Sequence, residues 1–326
     1  MTTLTTPPVL SPASRFSRAA LLGVLRRNGL LIFFAVLILV FAVMRPEFLS
    51  EANIRNILQA SSIIGILACG QTIVLLMAGF DISIGRTAVI AGLVVMATAP
   101  LGPAAAILIT LAITALIGLV NGSLIAKASV NPFVVTLGMF TILGSMALLI
   151  NNGASISGAP TWLSGLTQGG LFGISSSFFW FAGIAILTHC LLAYTRFGRH
   201  VYAVGGNKEA ARLSGIRADR VMITGYVLCS LLAAIAGILL TARLNTASPV
   251  ALPGAELDAI AAVIIGGTRM TGGFGSIPRT IVGVLVLSSL SSGLVILGVE
   301  SYWQGVVKGA IIIAAVAFDV LFRPRR

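Results

Sequence analysis

Apolar residues run along this chain in long blocks, separated by short polar or glycine-rich breaks. A helix rises 1.5 Å per residue, so crossing a hydrocarbon core of ~30 Å takes about twenty apolar residues. On that basis the pattern predicts ten helices. They fall over 29–44, 57–78, 87–100, 104–126, 133–150, 171–194 and 221–242, a short one from near Glu256 interrupted at Gly266-Gly267, then 280–297 and 304–322. Residues 1–28 read as a cytoplasmic tail, 29–322 as a single transmembrane domain, and 323–326 as a second cytoplasmic tail. Met44-Arg45-Pro46 follows the first apolar run where a signal peptide would carry a small-x-small cleavage site, so a retained anchor is expected.

The breaks carry the information. Gly79-Phe80-Asp81-Ile82-Ser83-Ile84-Gly85-Arg86 ends the second span, and a glycine-broken turn over 268–278 follows the eighth. Non-helical backbone at membrane depth must be covered by protein or face a water-filled cavity, which makes both turns candidate pathway or joint elements. Ser83-Ile84-Gly85-Arg86-Thr87 returns as Ser276-Ile277-Pro278-Arg279-Thr280, so spans one to four would echo seven to ten as a parallel internal repeat.

The longest break, over 195–220, is a polar island holding eight of the thirty charged residues. Asn207 can cap a short helix over 208–214 by accepting from a free backbone N–H, and Gly215 can close it in a left-handed conformation. Asp219 is placed to cap the next span. A capped two-turn helix between two hydrophobic spans suits contact with a partner, and an ordinary basic cytoplasmic loop would read similarly.

Composition sharpens the class. Charged residues are 9% and apolar ones 57%, against the roughly 25% charged of a soluble domain. The chain is therefore an all-α polytopic membrane protein. In a soluble protein a net charge of +12 would point to nucleic acid. Here it reflects Lys and Arg held on the cytoplasmic side, and no nucleic-acid partner is expected. With ten spans and both termini inside, seventeen basic residues lie inside, against Arg45, Arg55, Arg243 and Lys308 outside. Cys69, Cys190 and Cys229 sit in apolar context and read as small buried hydrophobes.

Little catalytic chemistry is present. No G-x-x-x-x-G-K-[ST] loop occurs, and neither His189 nor His200 lies in a metal-binding spacing, so no cofactor is expected on this chain. Most spans lack the intramembrane charges that ion-driven transport uses, which demotes a secondary transporter or channel without removing it. Asp81 can cap the third span and pair with Arg86 across the turn; a solvated boundary charge is the plainer alternative. Glu256 and Asp258 can meet a partner docked outside, or simply be acids favoured by a helix N-terminus. His189 is expected as a hydrogen-bonded structural imidazole. Gly118-x-x-x-Gly122 and Gly305-x-x-x-Gly309 read first as close helix packing.

Four ordered segments carry a resemblance. Gly79-Phe80-Asp81-Ile82-Ser83-Ile84-Gly85 is similar to the G-I-D-L-S-V-G signature of permease subunits of sugar ABC importers of the ribose/xylose/galactoside class. Asn131-Pro132-Phe133-Val134-Val135-Thr136-Leu137-Gly138 resembles that family's P-F-I-V-T-L-G segment. Val204-Gly205-Gly206-Asn207-Lys208-Glu209-Ala210-Ala211-Arg212-Leu213-Ser214-Gly215 resembles its cytoplasmic loop. Glu256-Leu257-Asp258-Ala259-Ile260-Ala261-Ala262, with Gly266-Gly267-Thr268 and Gly272-Gly273-Phe274-Gly275, resembles its E-L-D-A-I-A-A-V-x-x-G-G-T…G-G-x-G run. The chain departs from that pattern at Phe80, where Ile is usual, at Arg86, and at Pro278-Arg279.

The resemblance implies a bacterial inner-membrane permease of the vitamin B12-importer-like (type II) architecture, surrounded by membrane lipid. It would pair with a second permease subunit, take sugar from a periplasmic binding protein, and be driven by cytoplasmic ATPase subunits that hold the ATP and Mg. Asn207, Lys208, Glu209, Ala210, Ala211, Arg212, Leu213, Ser214 and Gly215 would couple to the ATPase. Asp81, Ser83, Gly85, Asn131, Pro132, Phe133, Gly266, Gly267, Gly272 and Gly273 would form the pathway or its gating turns, with Glu256 and Asp258 on the binding-protein side.

Overall fold

The computed structural model describes residues 18–300, 302–310 and 313. Residues 1–17 of the expected tail over 1–28, most of the tenth span over 304–322 and the tail over 323–326 lie outside the described residues. In chain order the helices are α1 (Arg18–Met44), α2 (Glu51–Leu76), α3 (Ile84–Thr98), α4 (Pro103–Ala126), α5 (Pro132–Ile150), α6 (Thr161–Ser164), α7 (Ser176–Tyr194), α8 (Arg196–Gly206), α9 (Lys208–Leu213), α10 (Ala218–Leu244), α11 (Ala255–Ile265) and α12 (Ile277–Ile296). Two-residue strands β1 (Ile156–Ser157) and β4 (Thr246–Ala247) pair antiparallel, as do β2 (Gly170–Leu171) and β3 (Ile174–Ser175).

Among the described residues, seven helices are long and apolar enough to cross a membrane: α2, α3 with its 3-10 extension to Leu101, α4, α5, α7, α10 and α12. The apolar part of α1, Gly29–Met44, is shorter. The fold is all-α and polytopic. Boundaries moved for local reasons. Helix α1 begins at Arg18, inside the stretch read as tail. Ser50 caps α2 by accepting from the Asn53 N–H, which starts that helix six residues before the apolar run does. The β2–β3 hairpin occupies the expected beginning of the sixth span and delays α7 to Ser176.

Burial divides the helices into centre and rim. The most apolar window is 78% buried in α2 and 61% in α3, against 28% in α4 and 22% in α5. Leu116, Ile142, Leu149, Ile186 and Leu187 are exposed, which suits helices that meet lipid. The centre is α10, seated on α2, α3 and α4 through small residues. A Cβ on Gly237 would overlap the Ala88 carbonyl of α3, and one on Gly118 would stand 2.6 Å from the Tyr226 carbonyl. Gly122 meets Ile223 in the same seam. Gly118-x-x-x-Gly122 thus brings α4 against α10, the close approach that small residues allow between membrane helices. Cys69 and Cys229 are buried in the core; Cys190, expected there too, is exposed on α7.

Candidate functional site

The chain between α2 and α3 is a turn folded back into the protein. Asp81 and Ser83 are fully buried there. Ala78 adopts a left-handed φ of 59°, and the Gly79 N–H donates to the Val74 carbonyl at 3.0 Å. Tyr226 of α10 donates its hydroxyl to the Phe80 carbonyl at 3.0 Å. With its amide turned to suit, Gln71 of α2 brackets the Asp81 peptide, donating to its carbonyl at 3.2 Å and accepting from its N–H at 3.3 Å.

Asp81 Oδ1 accepts from the Ser83 N–H at 2.9 Å and from the Ser83 hydroxyl at 2.5 Å. Asn121 of α4 donates to that hydroxyl at 3.1 Å. The expected Asp81–Arg86 pair does not form. An Asp two residues before a Ser closes on it locally, the short-range bond that Asp favours over any longer reach. Arg86 points away instead, its guanidinium 4.9 Å from the centre of the Phe140 ring on α5. Nor is Asp81 a solvated charge.

Two helices begin in this interior. Tyr226 lies about 12 Å along α10 from Ala218 at 1.5 Å per residue, so the turn it holds is well inside the helical layer. At the start of α3, a Cβ on Gly85 would overlap the carboxylate of Glu256, in the first turn of α11. With eleven residues, α11 rises about 16 Å and cannot cross a membrane alone. Glu256 is 7% exposed, so the expected surface acid greeting a docked protein is not available there. Burial beside α3 explains the change: the loop after α10 carries the α11 N-terminus inward. Asp258 pairs with Lys308 at 2.9 Å.

A second junction forms at the same end of α2, on Leu76. The Gly273 N–H donates to the Leu76 carbonyl at 2.9 Å. Gly267, Gly272 and Gly273 all have positive φ, between 71° and 82°. Glycine holds that conformation at no steric cost. Gly266 packs on the backbone of Arg279 and Thr280 at the start of α12. Gly205 of α8 closes the junction, with no room for a side chain between it and Leu76. Tyr202 of α8 donates to the Gly275 carbonyl at 2.9 Å. Both glycine-broken turns therefore touch the end of α2, and α8 clamps them.

Sequence reasoning missed α8. Its glycines obscured a helix whose Val201 and Val204 are buried and whose Thr195 caps it by accepting from the Gly198 N–H at 3.2 Å. The available signal was apolar spacing at 197, 201 and 204. Asn131, Pro132 and Phe133 stand apart from both junctions. Asn131 caps α5 by accepting from the Phe133 N–H at 2.9 Å, and Phe133 is half exposed.

Helix α9 follows α8 directly. Asn207 accepts from the Ala210 N–H at 2.9 Å, and Gly215 closes the helix with φ 81° while the Ile216 N–H donates to the Ala211 carbonyl at 3.0 Å. Leu213 is 91% exposed and Ala210 is exposed, but Ala211 faces inward and packs in the core. The outward face of α9 is thus Leu213 and Ala210 without Ala211, flanked by Lys208, Glu209 and Ser214. Asp219 does not cap α10, whose N-cap is Arg217. It accepts from Arg212 at 2.8 Å and lies 3.4 Å from Lys208, and Glu209 pairs with Arg212 at 3.0 Å. The hydrogen bond from Arg212 to Asp219 raises the guanidinium pKa further above its ordinary value. His189, expected to be hydrogen-bonded, instead meets Tyr194 edge to face at 6.0 Å. Among the described residues no cluster of His, Cys, Asp and Glu is grouped to hold a metal ion.

Residues 53–316 match the family described as "Branched-chain amino acid transport system / permease component". The chain is 41% identical to the ribose import permease protein RbsC of Escherichia coli (strain K12), over 89% of this chain and 92% of that one. It is 38% identical to RbsC of Bacillus subtilis (strain 168), over 91% and 94%. It is 35% identical to the galactose/methyl galactoside import permease protein MglC of Escherichia coli (strain K12), over 96% and 99%. No solved structure matches it.

Proposed function

We propose, from the premise that this chain belongs to the family of branched-chain amino acid transport system permease components, that it is the membrane subunit of an ATP-driven importer whose cargo is a monosaccharide. The observation that carries this reading is the near full-length similarity to ribose and galactoside import permeases. ATP and Mg are held by the ATPase subunits, and a binding protein delivers the sugar. Ten spans, both termini cytoplasmic and a type II arrangement complete the reading. The sugar path runs between this chain and a second permease subunit.

The geometry supports a mechanism of alternating access. Nucleotide-driven closure of the ATPase pair displaces α9 through its exposed Leu213 face. Helix α8 follows without a flexible linker, because Asn207 is both the end of α8 and the cap of α9. At Gly205 the displacement reaches the end of α2 and the Gly272-Gly273 turn together. From there it passes to α3 and α11, whose starts meet at Gly85 and Glu256. Broken helices meeting inside the membrane are the usual place for a transport site, and a two-state element biased from each end is what coupling requires.

The test is uptake of ribose into vesicles holding this chain, with its ATPase and binding protein added or withheld. Uptake that needs both, and ATP, is expected. Uptake without nucleotide would favour a secondary transporter or channel, and no solute movement under any condition would favour a membrane scaffold.

A further inference from the structure

Between the α4–α5 turn and the α9–α10 loop lies a cleft of about 480 Å³, whose walls include Lys127, Arg212, Ile216, Arg217, Asp219 and Arg220. Its charge is one-sided. Asp219 is the one acid on the walls, and it is already engaged by Arg212 at 2.8 Å and Lys208 at 3.4 Å. Lys127, Arg217 and Arg220 face the same cleft, and among the described residues none of them forms an ion pair. Among the described residues, three cations without an ion-pair partner line one concavity.

The setting specifies the occupant. Lys127 ends α4, where an apolar helix of the rim leaves the membrane layer. Directly above it Leu116, Val120 and Leu124 are exposed on α4, and Val130 is exposed in the turn. A ligand here would place its negative charge among the three basic side chains and an apolar body along α4. An acidic protein segment would satisfy the charge but leave the apolar stripe unused. A free phosphate would do the same. Basic pockets at the cytoplasmic ends of membrane helices suit lipid head groups, and each Lys or Arg adds to the attraction of an anionic leaflet.

We propose that the cleft bounded by Lys127, Arg217 and Arg220 binds the phosphodiester head group of an anionic phospholipid, with its acyl chains along the exposed face of α4. The site adjoins α9, so an occupied cleft would brace the coupling helix through the Arg212–Asp219 pair.

The experiment uses the full chain, purified and delipidated, then placed in nanodiscs of phosphatidylcholine with rising fractions of phosphatidylglycerol. Readouts are retained lipid by mass spectrometry and the thermal unfolding midpoint. The wild type should retain phosphatidylglycerol and unfold at a higher temperature with it. The variant Lys127→Gln/Arg217→Gln/Arg220→Gln should lose at least tenfold in apparent affinity. Arg196→Gln/Arg199→Gln/Arg269→Gln removes the same charge elsewhere and should retain phosphatidylglycerol as the wild type does. Acylation of Lys127 by an amine-reactive reagent gives a second readout on unmutated protein, and phosphatidylglycerol should suppress it.

Equal loss in both variants would overturn the proposal in favour of diffuse surface charge. Saturation by inorganic phosphate alone would reduce the cleft to a small-anion site. Protection of Lys127 by the ATPase subunits, with none from lipid, would assign the cleft to a protein contact. None of these outcomes depends on whether the cargo is a sugar.

Discussion

Gly205→Ala should uncouple the cytoplasmic helices from the membrane helices, while Gly206→Ala, one residue on, should leave coupling intact. A Cβ on Gly205 would overlap the Leu76 carbonyl oxygen and stand 2.7 Å from the Gly273 nitrogen. That carbonyl is the acceptor for the Gly273 N–H at 2.9 Å, so the methyl group strikes the bond that joins α2 to the glycine turn. Non-bonded heavy atoms settle at about 3.5–4.0 Å, so α8 must withdraw from the end of α2 by roughly 1 Å or more. Overpacking of a filled contact costs about 1–3 kcal/mol, and loss of one hydrogen bond about 0.5–1.5 kcal/mol. Together roughly 2–4 kcal/mol falls on the joint, enough to move a two-state population by about thirtyfold or more. Gly206 has nothing within 4 Å of its Cβ position, and alanine there should be neutral or gain up to about 1 kcal/mol of helix propensity. The assay is ATP hydrolysis by the assembled complex, with and without loaded binding protein, alongside its unfolding midpoint. Loss of most stimulation in the Gly205 variant alone is expected. If the two variants behave alike, the junction at Leu76 transmits nothing and the proposed route is wrong.

Gly85→Ala should depress uptake by forcing the Glu256 carboxylate aside, and Glu256→Ala should restore part of it in the double variant, a coupling measurable as a double-mutant cycle. Leu213→Asp should abolish co-purification of the ATPase while leaving the unfolding midpoint unchanged, because a residue 91% exposed contributes little to the fold; retained ATPase would exclude α9 as the contact. Asp81→Asn should lower uptake at normal membrane abundance, since the new amide oxygen can still accept both Ser83 bonds; normal uptake would make the carboxylate charge irrelevant. Single cysteines at 165 and 208, in a chain lacking Cys69, Cys190 and Cys229, should react with an impermeant thiol reagent from outside only at 165; the reverse pattern would invert the topology.

Seven of the ten expected spans, in their order, were legible because apolar block length is a direct physical requirement of the bilayer. The capped helix α9 was legible because its signals are local: Asn207 and Gly215 act within a few residues of themselves. What failed was long-range. Nothing near Glu256 in sequence announces that it lies beside Gly85, since that contact depends on how the loop after α10 descends. Ala211 and Ala210 are chemically identical, and only tertiary packing sends one inward. Arg86 stood within reach of Asp81 by count, but the competing Asp81–Ser83 bonds are shorter in sequence and prevail. Helix α8 was lost to its own glycines, which weaken helix propensity; two of them, Gly198 and Gly205, exist for close approach rather than for a turn.

The two junctions differ in how they are held, and the difference bears on which of them moves. The turn carrying Asp81 is fastened from three elements at once: Gln71 of α2, Asn121 of α4 and Tyr226 of α10 each bond to it. Displacing it breaks several buried hydrogen bonds together, and each unsatisfied buried group costs about 1–3 kcal/mol. The junction at Leu76 is held by the single Gly273 bond and by glycine contacts with α8, supplemented by Tyr202 on Gly275. Glycine surfaces can slide with little steric penalty as long as no Cβ intervenes. On the proposed mechanism, a push on α9 therefore moves the Leu76 junction first and is handed on from there. The Asp81 turn stays rigid and moves with α10 and α4 as one body. The glycines at 205, 272 and 273 serve as the bearing between that body and the cytoplasmic helices, which is why a single methyl group at 205 is the sharpest available probe of the coupling.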